Sequence, residues 1–389
     1  MNPLINTKSE IVISCLPELG SYVAKELEKY SFPVKKVLST SVVTEGTLKD
    51  TYFLNLWLRT ASHVFYKLKS FKSNTADQLY GEIKKVEWEN WIPTDSYFTV
   101  DSFVRNDNIR DHRFANVRVK DAIVDRFMDL EGKRPDSGSS RDGAVVYLQW
   151  VSHEASIYID TSGNTLSKRG YRDIPGGAPL AESLAAAIIM ATGWSGDTPF
   201  VNPMCGSGTL GIEAALIAYN IPPGYYRRVF GFQYLKTFEI SDWKEELAKM
   251  PDPKKIEKKI PILMSDIKRK AISETRINVE KAGVEHLLEL EARDFEKAQL
   301  PDEPGTIILN PPYGNRMGEE DDLEQLYERI GDFFKNKCVN YKGYIFTGNM
   351  DLAKTVGLRT KSRVTFFNAK LECRLLEYEI FEGSKKTKT

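Results

Sequence analysis

Strand-like and helix-like segments alternate along the second half of the 389-residue chain, and this alternation restricts the possible fold more than any other feature. We predict strands at residues 198–201, 260–264, 287–291, 306–309 and 343–347, and helices at 179–192, 210–219, 269–282 and 323–334. Two further strands, 363–367 and 374–381, are predicted to form a closing hairpin. The pattern is typical of an open, mostly parallel α/β sheet with an antiparallel end.

The first half has a different pattern, in which short strands and helices follow each other on a smaller scale. Strands are predicted at 10–16, 34–38, 64–68, 97–104, 144–150 and 155–160, helices at 18–30, 75–86 and 113–130, and a turn at 42–46. This pattern indicates a small α+β region. A domain boundary is predicted near residues 161–166, before the basic cluster that follows.

The composition excludes several classes of protein. Lys and Arg total 54 and Asp and Glu total 54, so any basic surface must be confined to one face. The four cysteines form no C-x-x-C pair and the four histidines are dispersed, so we expect neither a metal site nor a disulfide framework. The sequence has no signal-like start and no apolar run of membrane-spanning length, which predicts a cytoplasmic protein without a membrane partner.

The stretch Asn310-Pro311-Pro312-Tyr313 follows the apolar strand 306–309 and is the main candidate for chemistry. Two prolines stiffen the turn and remove two N–H donors, which leaves carbonyl oxygens available as acceptors. The Asn310 side chain adds an acceptor, and Tyr313 adds a flat ring. Two acceptors and a ring suit a planar base that carries an exocyclic NH₂ group. The alternative is a stiff loop with no chemical role.

A second candidate site is the glycine-rich turn between the strand at 198–201 and the helix at 210–219. In a strand–turn–helix unit, a nucleotide-like cofactor lies against the turn and the helix N-terminus. The predicted cofactor-binding residues of this turn are Asn202, Pro203, Met204, Cys205, Gly206, Ser207, Gly208 and Thr209. Cys205 could be a nucleophile, but a small packing residue is the interpretation that so glycine-rich a turn favours.

Acidic residues stand at the ends of the next two strands. Asp266 is predicted to accept hydrogen bonds from two ribose hydroxyls. Asp294 is predicted to accept from an adenine amino group, with Phe295 against the ring. Each acidic residue alone could equally be a helix cap or an ion-pair partner. Residues 222–259 are predicted to be an insertion that separates Asp266 from the turn.

Two clusters of basic residues could contact phosphates. The first contains Arg113, Arg118 and Lys120, interleaved with acidic residues, so the spacing alone favours a solvated face of ion pairs over a phosphate-contacting surface. The second contains Lys168, Arg169 and Arg172 around an aromatic residue.

These motifs resemble those of a known family, the bacterial large-subunit ribosomal RNA guanine-N2 methyltransferases with a THUMP RNA-binding domain. The resemblance covers nearly the whole chain and rests on residues 168–172 (KRGYR), 178–180 (APL), 203–209 (PMCGSGT) and 310–314 (NPPYG). The stretch 119–127 is similar to the THUMP region of the same family.

The resemblance implies three domains: a ferredoxin-like α+β part at 1–65, a THUMP domain at 66–162 and a Rossmann-like class I methyltransferase domain at 163–389. It implies S-adenosylmethionine as the cofactor and an exocyclic guanine amino group of RNA as the methyl acceptor, attacking the methyl in line. The catalytic residues would be Asn310, Pro311, Pro312 and Tyr313, with no metal and no general base. The basic residues of both clusters would contribute to one RNA-binding surface. No obligatory protein partner is indicated.

The sequence departs from the family pattern at two positions. Asn202 stands where the family usually has Asp, near the methionine end of the cofactor, and Asn315 replaces an expected acidic residue. Three alternatives remain open at this point: a transfer RNA guanine-N2 methyltransferase, a DNA adenine-N6 methyltransferase, and a non-catalytic RNA-binding protein.

Overall fold

The structure, a computed structural model, describes residues 3–106, 109, 111–172, 180–313 and 320–380. The chain divides into two compact units. The first comprises Met1–Cys15, Val23–Leu166 and Arg227–Met250, and the second comprises Leu16–Tyr22, Ser167–Tyr226 and Pro251–Thr389. Within the described ranges, we find no helix with the length and apolar character needed to cross a bilayer. The motif residues Ala178, Pro179 and Gly314, and also Asn315, lie outside these ranges.

An eight-stranded sheet forms the centre of the first unit, in the order β2-β3-β1-β4-β8-β7-β5-β6. Its elements are β1 (Lys8–Cys15), α1 (Gly20–Lys29), β2 (Lys36–Val37), β3 (Ser41–Thr47), α2 (Asp50–Trp57), β4 (Ala61–Lys72), α3 (Ala76–Lys84), β5 (Tyr97–Arg105), α4 (His112–Glu131), β6 (Asp136–Ser137), β7 (Ala144–Val151) and β8 (Glu154–Asp160). Strand β4 pairs with β1 and with β8, so the proposed boundary between residues 65 and 66 lies inside a strand that both regions share.

The sequence pattern of this unit misleads at one strand and one helix. Residues 42–46, predicted as a turn, lie inside β3, where Val42 and Thr44 are fully buried and the strand pairs with β1. This burial of alternate residues is the period of a strand, which the acidic residue and the glycine at 45–46 obscured. Helix α2 is not predicted because six of its eight residues are buried, which leaves no polar face to mark it.

The second unit contains a seven-stranded sheet in the order β11-β10-β9-β12-β13-β15-β14. The elements of the rest of the chain are α5 (Glu182–Ala191), β9 (Phe200–Asn202), α6 (Thr209–Ala218), α7 (Ile240–Ala248), β10 (Ile262–Asp266), α8 (Arg269–Lys281), β11 (Glu289–Ala292), β12 (Thr306–Leu309), α9 (Glu320–Lys337), β13 (Lys342–Thr347), α10 (Met350–Thr355), β14 (Thr360–Asn368) and β15 (Leu371–Glu379). Strands β9 to β13 are parallel and the final hairpin is antiparallel, so the predicted sheet is confirmed.

Strand β12 is buried along its whole length, as is its neighbour β9. All four of its residues, Thr306–Leu309, are at most 3% exposed. Ile307 and Leu309 belong to one apolar cluster with Tyr327 and Phe334 of α9. Burial on both faces is typical of a central parallel strand covered by helices. The residues that follow β12 therefore start from a rigid position at the carboxyl edge of the sheet, where open α/β sheets bind their ligands.

The residues between α6 and β10 do not form one structural block. Residues Arg227–Met250 belong to the first compact unit, although the second unit precedes and follows them in sequence. The ring of Phe232 lies 4.2 Å from that of Tyr52 on α2, and Trp243 of α7 lies 5.1 Å from Phe232, measured between ring centroids. Aromatic residues in this segment therefore complete the core of the first unit.

Candidate active site

The glycine-rich turn between β9 and α6 is held to the end of strand β10. The Cys205 N–H donates to the Ser265 carbonyl at 2.9 Å, and the Gly206 N–H donates to Asp266 Oδ2 at 3.1 Å. Gly208 has a φ of +83°, which favours glycine, and a Cβ added there would lie 2.5 Å from Cγ2 of Thr275. Glycine at position 208 is therefore required both by the backbone conformation and by the close approach of α8.

Two buried polar residues of α8 hold the carbonyl groups of this turn. Thr275 Oγ1 donates to the Gly206 carbonyl at 2.6 Å, and Asn278 Nδ2 donates to the Ser207 carbonyl at 3.0 Å. Both side chains are at most 1% exposed. Neither residue is predicted from the sequence, although polar residues on the inward face of a predicted helix are a signal that points to such a role.

Asp266 lies at the end of β10 as predicted, and its carboxylate is already part of the turn. Oδ2 accepts from Gly206 N–H, and Oδ1 accepts from the Lys268 N–H at 2.9 Å. It is not the cap of α8, because the N-cap residue of that helix is Lys268. A carboxylate has about four acceptor positions. Two backbone bonds therefore leave Asp266 with capacity for the ribose hydroxyls that the sequence predicts there.

Asn202 connects the two strands whose ends form the site. Its Nδ2 donates to the Ile308 carbonyl of β12 at 2.8 Å, and the residue is fully buried. Its Oδ1 is also buried and has no hydrogen-bond partner within the described part of the chain. A buried acceptor without a partner is costly, so a ligand that donates a hydrogen bond would satisfy it. The ammonium group of S-adenosylmethionine is such a donor, and these residues fit the cofactor.

The acidic and aromatic pair after β11 is held by contacts within the protein. Asp294 accepts from the Glu296 N–H at 2.9 Å and from Arg329 Nη2 at 3.0 Å. Phe295 is 4% exposed, packs edge-on against Phe333, and has the Arg329 guanidinium 5.2 Å from its ring centre. The ring is therefore largely buried by the protein's own contacts, and its predicted contact with an adenine stays a prediction. The Asp294 contact with adenine also stays a prediction.

The Asn310–Tyr313 stretch follows β12 directly, beside the strand end that carries the glycine-rich turn. Asn310 Oδ1 is buried and, among the residues that the structure describes, no group donates to it. Pro311 is buried and Pro312 is exposed. Tyr313 is half-buried, and burial raises the pKa of its phenol to about 12, so the hydroxyl is protonated at neutral pH. The loop thus presents a free acceptor and a neutral ring.

Cys205 is not equipped to act as a nucleophile. The residue is 7% exposed, and burial raises the pKa of its thiol to about 12. The thiolate is the nucleophilic form of cysteine, so the thiol at this position is unreactive at neutral pH. This agrees with the interpretation of Cys205 as a packing residue.

The first basic cluster lies on α4 in the first unit, and each of its members has an acidic neighbour. The Arg113 side chain is 81% exposed and contacts Asp111 at 2.8 Å. Arg118 contacts Asp77 at 2.9 Å and lies 4.7 Å from the centre of the Tyr80 ring. Lys120 contacts the adjacent Asp121 at 2.9 Å. Exposed ion pairs of this kind contribute little to stability, so these cations remain available to a phosphate.

The second basic cluster, in the second unit, contains only one exposed member, Lys168. Arg169 is 2% exposed, and its Nε lies 3.4 Å from Oε1 of the fully buried Glu213. Arg172 is half-buried, and its Nη2 donates to the Leu180 carbonyl at 2.7 Å and to Thr209 Oγ1 at 2.8 Å. The prediction of a surface contact to RNA is therefore corrected for Arg169, and Arg172 supports the start of α6.

The sheet order, the glycine-rich turn and the loop after β12 together define a methyltransferase of the S-adenosylmethionine-dependent class. Residues 169–377 match the RMKL-like methyltransferase domain, residues 10–65 match the RlmL ferredoxin-like domain, and residues 73–160 match the THUMP domain. The chain belongs to the RMKL-like methyltransferase family.

Individual relatives agree with this assignment. The chain is 36% identical over 369 residues to the ribosomal RNA large subunit methyltransferase K/L of Psychromonas ingrahamii, covering 93% of this chain but 49% of that protein. The solved structure of SMU.472 is assigned as a methyltransferase and is complexed with S-adenosylhomocysteine (SAH). It superposes with a TM-score of 0.84 at 25% identity, over 97% of this chain and 99% of the other. A predicted N6-adenine-specific DNA methylase from Listeria monocytogenes gives a TM-score of 0.86 at 29% identity, over 96% and 97%.

Proposed function

We propose that this chain transfers a methyl group from S-adenosylmethionine to the exocyclic amino group of a guanine in RNA, at N2 of a guanine in large-subunit ribosomal RNA. The observation that carries the proposal is the buried Oδ1 of Asn310, which has no donor among the described residues and follows the central strand β12. An amino group of a base is a donor of the kind that this oxygen lacks.

In this proposal the chain's own residues bind and orient the two reactants. The bound cofactor supplies an activated methyl group on a sulfonium. Asp266, Asn202 and the turn 203–209 hold the cofactor, with Thr275 and Asn278 fixing the turn. Asn310 Oδ1 and the Pro311 carbonyl accept hydrogen bonds from the base amino group, which stabilises the positive charge that develops on its nitrogen. The N–C bond would form as the C–S bond breaks, S-adenosylhomocysteine would leave, and the methylated nitrogen would lose one proton to water. Tyr313 stacks on the base, and positioning supplies most of the remaining rate enhancement.

The choice of RNA over DNA rests on the first half of the chain. Residues 73–160 match the THUMP domain, and the K/L relative is named for ribosomal RNA. In the proposal, residues 1–65 form the ferredoxin-like part, 66–162 the RNA-binding domain and 163–389 the methyltransferase domain of a cytoplasmic protein. Because the chain spans 49% of the K/L relative, it need not share that protein's whole activity. The structural neighbour named as a DNA methylase keeps DNA adenine-N6 as the second candidate.

The test is a methyl-transfer assay with labelled S-adenosylmethionine. Ribosomal RNA, transfer RNA and DNA are purified from cells that lack the gene for this chain, and each is offered as acceptor in parallel. Labelled product is digested and identified by mass spectrometry, then mapped by primer extension. We expect N2-methylguanosine in large-subunit ribosomal RNA. Label in N6-methyladenine of DNA, or in transfer RNA alone, would overturn the proposed substrate, and absence of label in every acceptor would overturn the proposed activity.

A further inference from the structure

The ring of Tyr313 is held by a residue far away in sequence. Asn368, the last residue of β14, donates from Nδ2 to the Tyr313 hydroxyl at 3.1 Å. Cys373 Sγ of β15 lies 3.8 Å from the same hydroxyl, and this cysteine is fully buried. The closing hairpin thus reaches the loop that follows β12, and it does so at the hydroxyl end of the predicted stacking ring.

The edge of the same ring lies against the backbone after β13. A Cβ added to Gly348 would lie 3.1 Å from Cδ2 of Tyr313 and 2.7 Å from Cδ2 of Leu371. A β-carbon so close to two neighbours would force one of them to move. Glycine at position 348 therefore allows the ring to approach the backbone, while Leu371 of β15 lies beside the same glycine. The ring is constrained at its hydroxyl and at its edge.

These contacts matter because the prolines before Tyr313 fix the backbone but not the side chain. Proline restricts φ of its own residue, whereas the plane of a tyrosine ring depends on two side-chain torsions. A ring that must stack on a base binds it more tightly when its torsions are already fixed before the base arrives. The chain achieves this with a hydrogen bond from a different strand and with the close contact at Gly348.

We propose that Asn368 is a positioning residue for the methyl-acceptor base: its hydrogen bond to the tyrosine hydroxyl fixes where the Tyr313 ring lies, while the close contact of the ring edge at Gly348 restricts the plane of that ring. This inference rests on the proposed function, because it takes the stacking role of Tyr313 from it. Asn368 itself does not touch the base, so its effect passes entirely through Tyr313. It should therefore influence the use of RNA and leave the cofactor unaffected.

The decisive measurement is a double-mutant cycle between Asn368→Leu and Tyr313→Phe, which removes the hydroxyl. With ribosomal RNA from cells lacking this gene as the acceptor, Asn368→Leu should lower kcat/KM for RNA roughly fivefold, the worth of one hydrogen bond. The same change in the Tyr313→Phe background should have no further effect. SAH affinity, measured by calorimetry, should be unchanged in all variants. The matched control is Glu372→Gln, an exposed change on the same hairpin that pairs with Arg374 rather than with Tyr313.

A second readout does not depend on activity. In protein labelled with ¹³C on tyrosine rings, the Tyr313 signal is the one missing from the spectrum of Tyr313→Phe. Asn368→Leu should shift this signal, and Glu372→Gln should not. An unshifted signal, or an equal loss of kcat/KM in the Tyr313→Phe background, would overturn the positioning role. A shifted signal in Asn368→Leu, together with a wild-type chain that methylates no RNA, would show that the contact exists but that the proposed function, and this inference with it, is wrong.

Discussion

The glycine-rich turn and the loop after β12 differ in how far their polar groups are already satisfied, although Asn202, just before the turn, also keeps a buried Oδ1 without a donor among the described residues. On the cofactor side, the Gly206 N–H, the Gly206 carbonyl and the Ser207 carbonyl all have partners on β10 or α8. On the acceptor side, Asn310 Oδ1 is buried and has no donor in the described ranges. The turn is therefore shaped before any ligand arrives, whereas the loop after β12 holds an acceptor that no described residue satisfies.

This difference indicates that the turn and the loop control different steps, cofactor binding and methyl transfer. Groups that shape the turn should control the affinity for the cofactor, because they fix where its binding groups point. The unpaired acceptor should control turnover, because its hydrogen bond strengthens as positive charge develops on the base nitrogen. Variants on each side should therefore separate binding from catalysis.

The largest effect is expected for Asn310→Ala. Removing the acceptor should lower kcat at least about a hundredfold, the loss typical of a deleted group that stabilises transition-state charge. SAH affinity, measured by calorimetry, should stay within a few-fold of the wild type. The control is Asn164→Ala, which removes an exposed amide from the first unit. Near-normal turnover of Asn310→Ala would show that Asn310 does not stabilise the transition state.

The opposite outcome is expected for Asp266→Ala. The variant loses charge-assisted hydrogen bonds to the ribose, each worth roughly 1.5–3 kcal/mol, and also the bond to the Gly206 N–H. SAH affinity should fall by at least roughly one to two orders of magnitude, the equivalent of one such bond, while kcat at saturating cofactor changes far less. Asp266→Asn keeps one acceptor oxygen and should lie between the two. If calorimetry finds equal affinity in all three proteins, Asp266 serves the turn alone.

A smaller effect on the same side is expected for Thr275→Val. This change keeps the shape of the side chain and removes only its hydroxyl, so the Gly206 carbonyl loses its donor. SAH affinity should weaken by roughly fivefold, the worth of a single hydrogen bond. The matched control is Ser273→Ala on α8, whose hydroxyl bonds within its own helix to the Arg269 carbonyl. Equal affinities of the two variants would show that the turn keeps its shape without α8.

The smallest effect concerns the exposed cations, which should alter RNA binding and leave SAH affinity unchanged. Removing one phosphate contact should flatten the dependence of RNA affinity on salt concentration by roughly one unit of slope. We expect this for Arg113→Ala and for Lys168→Ala, measured separately, and a larger change when Arg113→Ala is combined with Arg118→Ala. Unchanged slopes in all three would mean that these residues form a self-paired, solvated face.

Arg169 differs from these cations because it is buried, so its removal should affect the stability of the protein. Its removal would leave Glu213 as a buried carboxylate without its arginine, which typically costs 3–5 kcal/mol of stability. Arg169→Ala should therefore lower the melting temperature strongly, whereas Lys168→Ala should not change it. Equal melting temperatures would show that the buried pair contributes nothing.

The sequence was sufficient to predict the sheet and the strand ends, because period and turn chemistry are local signals. It located Asp266 and Asn310 correctly at the ends of β10 and β12. It could not find Asn368, since its partner Tyr313 lies 55 residues away along the chain. It also predicted Arg169 wrongly as a surface residue, because only the fold shows that this arginine pairs with the buried carboxylate of Glu213.

The segment Arg227–Met250 has a consequence for how the chain folds as it is synthesised. Domains usually fold in order from the N-terminus while translation proceeds at roughly 5–20 residues per second. Here the first compact unit is still incomplete when residue 166 has left the ribosome, because it lacks the aromatic rings that pack on Tyr52. It must wait several seconds, until residue 250 emerges, and by then part of the second unit has also been made. The first unit is therefore expected to complete its fold only after residue 250 has emerged, and still ahead of the second unit, whose strands β10 to β15 follow that residue.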